Sequence, residues 1–243
     1  MPENKKFWKF CNQAGNKVEL LLYGDISQTS WWGDEVTPKQ FAEELAGLGA
    51  LDEITVRINS GGGVFAAQAI GNQLEQHPAA VTAKIDGLCA SAATIVACHC
   101  GKVIAATDST YMVHPVRMGA YGYYNAEELQ KYIEAMNAIR ESIVGLYVKK
   151  TGRDKDEVAG WMDETSWWTA AQAKENGFID ELTDEADGAV IENRDGLLFV
   201  NSVNTHLPFD KAPNFVQSSK AAPASCSVNN RCLKQRELRS RRR

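Results

Sequence analysis

A chain of 243 residues with 44% apolar content can bury one sizeable core and still carry a tail. Its 31 acidic against 26 basic residues give a net charge of −5, which speaks against a dedicated nucleic-acid binder. The opening MPENKKFWKF lacks the apolar stretch of a signal peptide, and nowhere do roughly 18 apolar residues run together. The expectation is a soluble, cytoplasmic protein with no membrane partner.

In chain order, Val18 to Tyr23 (VELLLY) reads as a buried strand closed by Gly24-Asp25, and a polar, Trp-bearing loop follows. Thr37-Pro38-Lys39-Gln40 combines a capping residue, a first-turn proline and a glutamine three positions after the cap. A helix should run from there to about Leu48. Ile54 to Ile58 alternates as a strand does, Asn59 to Gly63 is a tight turn, and Val64 to Gln76 is a helix with Ala67, Ile70 and Leu74 on one face. Val81 to Ile85 is another strand, followed by Gly87 and a small-residue helix from about Ser91 to Ala97. Short strands cover Val103 to Ala106 and Tyr111 to Val113.

The longest helix carries Leu129, Tyr132, Ile133, Met136, Ile139, Ile143, Leu146 and Tyr147 at three- and four-residue intervals and stops at Gly152. A shorter helix spans about Asp156 to Met162, and Thr169-Ala170-Ala171-Gln172 repeats the capping-box pattern, with Gly177 as the stop. Such alternation predicts an α/β fold with helices packed on a sheet. The expected organisation is an N-terminal segment over 1–17, one domain over 18–183, and an extension over 184–206 with a strand at Leu197 to Val200. A disordered basic tail over 207–243 ends in Arg-Ser-Arg-Arg-Arg.

Six cysteines (Cys11, Cys89, Cys98, Cys100, Cys226 and Cys232) show no disulfide framework, so reduced thiols are expected. Cys98-His99-Cys100 supplies only three ligands at adjacent positions, and neither a metal nor any other cofactor is expected.

Three local features carry chemistry. Asn59-Ser60-Gly61-Gly62-Gly63 lies between strand and helix, where backbone N–H groups can face a negative charge. It lacks the Lys-Ser/Thr end of a P-loop and the GxGxxG spacing, which leaves an oxyanion hole, a phosphate cradle or a plain turn. Gly87 to Ala93 (GLCASAA) sets Ser91 at a helix start among residues small enough to admit a substrate backbone. Ser91 is either an N-cap or a nucleophile, and the absence of GxSxG argues against an α/β-hydrolase. His114 ends an apolar strand just before Pro115, and its neutral ring can accept a serine proton near pH 7.

Taken together and in order, INSGGG, GLCASAAT and MVHP resemble the INSPGG turn, GxAAS segment and MIHxP histidine of the Clp protease proteolytic subunit family. The resemblance runs from about Val18 to Leu182 and takes in TAAQAKENGFID. It implies a repeated β-β-α superhelix of the Clp/crotonase type with a protruding long helix. It also implies a serine peptidase with Ser91 as nucleophile, His114 as base, and the Gly63 and Ala92 amides as oxyanion donors. Matching Trp167-Trp168-Thr169-Ala170 to the family's FLSA-like segment puts Thr165 where the family has its third-member Asp, with Asp163 and Glu164 just before. A Thr165 hydroxyl orienting the ring, a bare Ser-His dyad, and a one-residue shift to Glu164 all remain open. Gly61 replaces the proline of the turn.

The resemblance further implies a peptide or protein substrate, stacked rings of seven subunits meeting through the long helix, and an ATPase unfoldase as partner. The N-terminus and the basic C-terminal extension resemble the phage or prophage branch, whose members act as head-maturation proteases on capsid protein. The competing readings are a crotonase-like acyl-CoA enzyme and a Clp-fold assembly subunit with weak or no catalysis.

Overall fold

The computed structural model describes residues 6–26, 37–183, 191–194, 197–200 and 203–208. The Trp-bearing loop and the tail beyond 208 lie outside the described residues. β1 (Trp8–Ala14) and β2 (Lys17–Ile26) form an antiparallel hairpin. The sequence reading had no strand before Val18, yet Trp8 is fully buried, edge-on to Phe41 at 5.6 Å. α1 (Pro38–Gly47) starts as expected, with the Thr37 hydroxyl accepting from the Gln40 N–H. Then follow β3 (Glu53–Gly62), α2 (Val64–Gln76), β4 (Ala80–Ala90), α3 (Ala92–His99), β5 (Lys102–Ala106) and β6 (Thr110–Val113). The second half comprises α4 (Ala126–Thr151), α5 (Lys155–Asp163), β7 (Ser166–Thr169), α6 (Ala170–Glu175) and β8 (Glu181–Thr183). A separate meander of β9 (Ile191–Arg194), β10 (Leu197–Val200) and β11 (Val203–Pro208) places its last strand against β2 and β3.

The main sheet has the order β1-β2-β3-β4-β5-β8, parallel from β2 onward. Helices cover it, so the α/β expectation with repeated β-β-α units holds. β4 divides its partners: Thr82 to Ile85 pair with β5, whereas Leu88 to Ala90 pair with β6, which turns away to meet β7 antiparallel. This split raises a second small layer of strands, and the site is built at its edge.

Two expectations about strand ends need correction. The Asn59–Gly63 stretch is not a tight turn: β3 continues in parallel ladder with β2 as far as Gly62. β4 likewise runs through Gly87 to Ala90. Side chains fix the extension, since the Asn59 amide oxygen accepts the Leu88 N–H at 3.0 Å and the Ser60 hydroxyl donates to the Gly24 carbonyl at 2.6 Å. Across β2, β3 and β4, the Arg57 guanidinium makes two bonds to Asp86, at 2.8 and 2.6 Å, and the Tyr23 hydroxyl adds a third at 2.7 Å.

α4 carries a complete capping box at Asn125 and Glu128 and ends on Gly152 at φ 67°. At 26 residues it reaches about 39 Å. Only Ile143, Val144 and Tyr147 are buried, so its N-terminal half projects with Leu129 and Ile133 about half exposed. No helix among the described residues is long and apolar enough to cross a membrane.

Candidate active site

Ala90 of β4 lies opposite Met112 of β6, and the Ser91 N–H closes this pairing by donating to the Met112 carbonyl at 2.9 Å. The ladder thereby delivers Ser91 beside the end of β6, where His114 follows. His114 Nε2 lies 2.8 Å from Ser91 Oγ. Ser91 occupies the N-cap position of α3, yet its side chain makes no capping bond. The capping alternative falls, because the hydroxyl is committed to the imidazole.

Ser91 also has an unusual backbone, φ 54° and ψ −124°. Among the described residues, Ser91 and Thr165 (φ 58°) are the two non-glycine residues with positive φ. Such conformations cost about 1–3 kcal/mol each and persist only where the surroundings hold them. Here the Thr94 N–H and hydroxyl both donate to the Ser91 carbonyl, and the Tyr147 hydroxyl of α4 lies 2.6 Å from the Thr94 Oγ1. The Ser91 backbone is thereby clamped to the long helix.

His114 Nδ1 lies 2.6 Å from the Pro115 carbonyl oxygen. A carbonyl can only accept, so Nδ1 carries the hydrogen and the neutral ring offers a lone pair at Nε2 to the Ser91 hydroxyl. Burial holds the His114 pKa below its ordinary value; the Pro115 bond opposes this, and the Arg117 charge adds to the lowering. The net lowering leaves the ring neutral at pH 7.

Val113 pairs with Ser166 across β6 and β7, and His114 and Thr165 are the residues just past that last pair of the ladder. Thr165 makes no hydrogen bond to the ring, whose Nδ1 goes to Pro115 instead. Asp163 is exposed and held by Arg140 at 3.1 and 2.7 Å, and Glu164 is exposed at the end of α5. Neither acid hydrogen-bonds His114.

The expected oxyanion donors differ in state. Ala92 opens α3, so its N–H has no intrahelical acceptor. The Gly63 N–H is engaged, donating to the Ile26 carbonyl at 2.6 Å. Gly62, at φ 127°, permits this approach: a Cβ there would meet the Ile26 oxygen at 2.3 Å.

Ser91, His114, Gly63 and Ala92 line one cleft of about 580 Å³. Gly62 to Phe65 form one rim and Pro115 to Gly119 the other, over a floor that includes Ile143 and Met162. Cys98, His99 and Cys100 diverge elsewhere: the Cys98 thiol lies by Tyr111, His99 on Glu75, and the Cys100 thiol on the Val96 carbonyl. Sequence reasoning missed the Thr94–Tyr147 clamp, signalled only by a threonine three positions after Ser91. It also missed the Pro115 and Ile26 carbonyls, which had no signal.

The family model described as Clp protease matches residues 26–186. The chain belongs to the Clp protease family. Among the relatives of this Clp-family chain is the ATP-dependent Clp protease proteolytic subunit 1 of Chlamydia abortus. The two are 28% identical over 181 residues, covering 70% of this chain and 94% of the relative. The ATP-dependent Clp protease proteolytic subunit 3 of Rhodococcus jostii is 28% identical over 170 residues, covering 67% and 79%. A mutant ClpP1 from Listeria monocytogenes shares the fold, with a TM-score of 0.55 at 24% identity over 73% of this chain and 92% of the other.

Proposed function

We propose that this Clp-family chain is a serine endopeptidase working through an acyl-enzyme. The observation that carries the reading is the 2.8 Å contact between His114 Nε2 and a Ser91 hydroxyl that does not cap its helix. Ser91 Oγ bonds to the scissile carbonyl carbon while its proton passes to Nε2. The displaced electron pair on the carbonyl oxygen is held by the Ala92 N–H, joined by the Gly63 N–H once it leaves Ile26. Collapse breaks the C–N bond, and the leaving amine takes the proton from His114. Water, deprotonated by the same nitrogen, then releases the acyl group. Thr165, expected as the third member, makes no hydrogen bond to the ring, so Ser91 and His114 work as a dyad in this reading. The Pro115 carbonyl accepts the orienting hydrogen bond that a carboxylate would otherwise take. A crotonase-like reaction on acyl-CoA has less support, since a serine bound to a neutral imidazole has no part in it.

The proposal extends to assembly. The projecting half of α4, with Leu129 and Ile133 exposed, is read as the contact between stacked seven-subunit rings in the cytoplasm. Substrate would be fed by an ATPase unfoldase or, in the phage head-maturation reading, would be a capsid protein. The basic stretch that continues past the family match at residue 186 favours the second reading.

The test is labelling with a fluorophosphonate probe alongside light scattering. Wild type should label at Ser91 and run at the mass of a multimeric ring, and Ser91→Ala should lose labelling and peptide cleavage without a change in melting temperature. A folded wild type that neither labels nor cleaves would instead support an assembly subunit. A monomer mass would remove the ring.

A further inference from the structure

The cleft holds one cation that this chemistry does not use. Arg117 lies three residues past His114 on the exposed rim and lines the same cleft as Ser91. Arg57, Arg140 and Lys150 are by contrast committed, to Asp86, Asp163 and Asp180. No hydrogen bond or ion pair occupies the Arg117 guanidinium among the described residues, although its charge reaches the imidazole and helps lower the His114 pKa. The cleft's acid is Asp25, with Oδ1 buried and close enough to Gly62 that a Cβ there would sit 2.5 Å from it. The remaining side chains of rims and floor are mainly apolar.

We propose that Arg117 is a specificity residue that selects peptides with a carboxylate side chain beside the scissile bond, on the side lying along the Pro115–Gly119 rim. The inference rests on the serine-peptidase reading and adds the substrate class to it. An extended peptide between the two rims sends alternate side chains to opposite faces. One that reaches the floor meets apolar groups, and a neighbour on the rim meets a guanidinium. The guanidinium's planar fork of N–H donors matches a carboxylate better than an amide or an ammonium. Because Arg117 is exposed, solvent screening limits the discrimination to about twofold to fivefold per charge step.

The experiment uses the full chain and a peptide series with one apolar anchor and Glu, Gln or Lys at each position flanking the cleaved bond. At one position kcat/KM should fall in the order Glu, Gln, Lys, and added salt should compress the differences. Arg117→Gln should flatten the series and Arg117→Glu should invert it. Ser91-dependent cleavage with the same Glu-to-Gln ratio in wild type and Arg117→Gln would overturn the inference while leaving the peptidase reading intact. If no peptide is cut, binding of the same peptides to Ser91→Ala by fluorescence anisotropy decides, and equal affinity for Glu and Lys peptides overturns it.

Discussion

Thr165→Asp probes how the His114 ring is held. Residue 165 adjoins Ser166, whose partner Val113 adjoins His114, and paired side chains of neighbouring strands have Cβ atoms about 4.5–5.5 Å apart. A carboxylate about 5 Å from an imidazolium, at an effective dielectric of about 20, interacts by about 3 kcal/mol. That corresponds to about two pK units. Water reaches the half-buried position 165, so roughly one unit should survive. The midpoint of the kcat/KM against pH profile should therefore move up by about one unit, and plateau kcat should rise by about tenfold, well short of the full effect of a native triad carboxylate. The backbone favours the change, because Thr165 sits at φ 58°, a region that Asp enters more readily than a β-branched residue. The melting temperature should not fall. Thr165→Val should cost less than about threefold in kcat/KM, since the Nδ1 hydrogen already has the Pro115 carbonyl as its acceptor. Stopped assays on one fluorogenic peptide across the pH range would measure all of this. An unmoved profile in Thr165→Asp, together with a large loss in Thr165→Val, would show that the threonine hydroxyl orients the ring and that the Pro115 bond does not.

Burial depresses the folded His114 pKa, so wild-type kcat/KM on an uncharged peptide should hold its plateau below pH 6.5 and decline only in more acid solution. A midpoint above 6.5 would contradict the burial argument. The linked stability effect has a definite sign: the unfolded chain takes up the histidine proton near pH 6.5 while the fold resists it, so stability falls as pH drops through that value. His114→Gln should lessen that loss in melting experiments. Arg57→Met would leave the Asp86 carboxylate, 5% exposed, with the Tyr23 hydroxyl alone. Urea unfolding should show a loss of about 2–3 kcal/mol, below the fully buried case because the Arg57 side chain is 28% exposed. A loss under about 0.5 kcal/mol would mean the pair contributes no more than a surface bridge.

Helix limits were legible because their signals are local. Thr37, Gly152 and the Thr169–Gln172 box cap the helices where expected, and α2 runs over the same Val64–Gln76 that its apolar spacing marks. Ser91 and His114 were legible because small residues, a strand end and a proline surround them in sequence. Strand ends were not, since the glycines after Ile58 look like a turn until β2 and β4 supply the ladder that keeps them extended. The apolar stripe of α4 reads alike along its length, and only the fold decides that Ile143 and Tyr147 are covered while Leu129 and Ile133 are left outside.

By itself, then, the sequence determined the chemical types at the site and the helices and strands that bear them. The tertiary structure alone decided their state: the Gly63 N–H bound to the Ile26 carbonyl, and the His114 Nδ1 to the carbonyl of Pro115. Every residue carries the same carbonyl, so no residue type announces which of them will become a partner. The meeting of β2 with β3 and the bend after β6 make that choice.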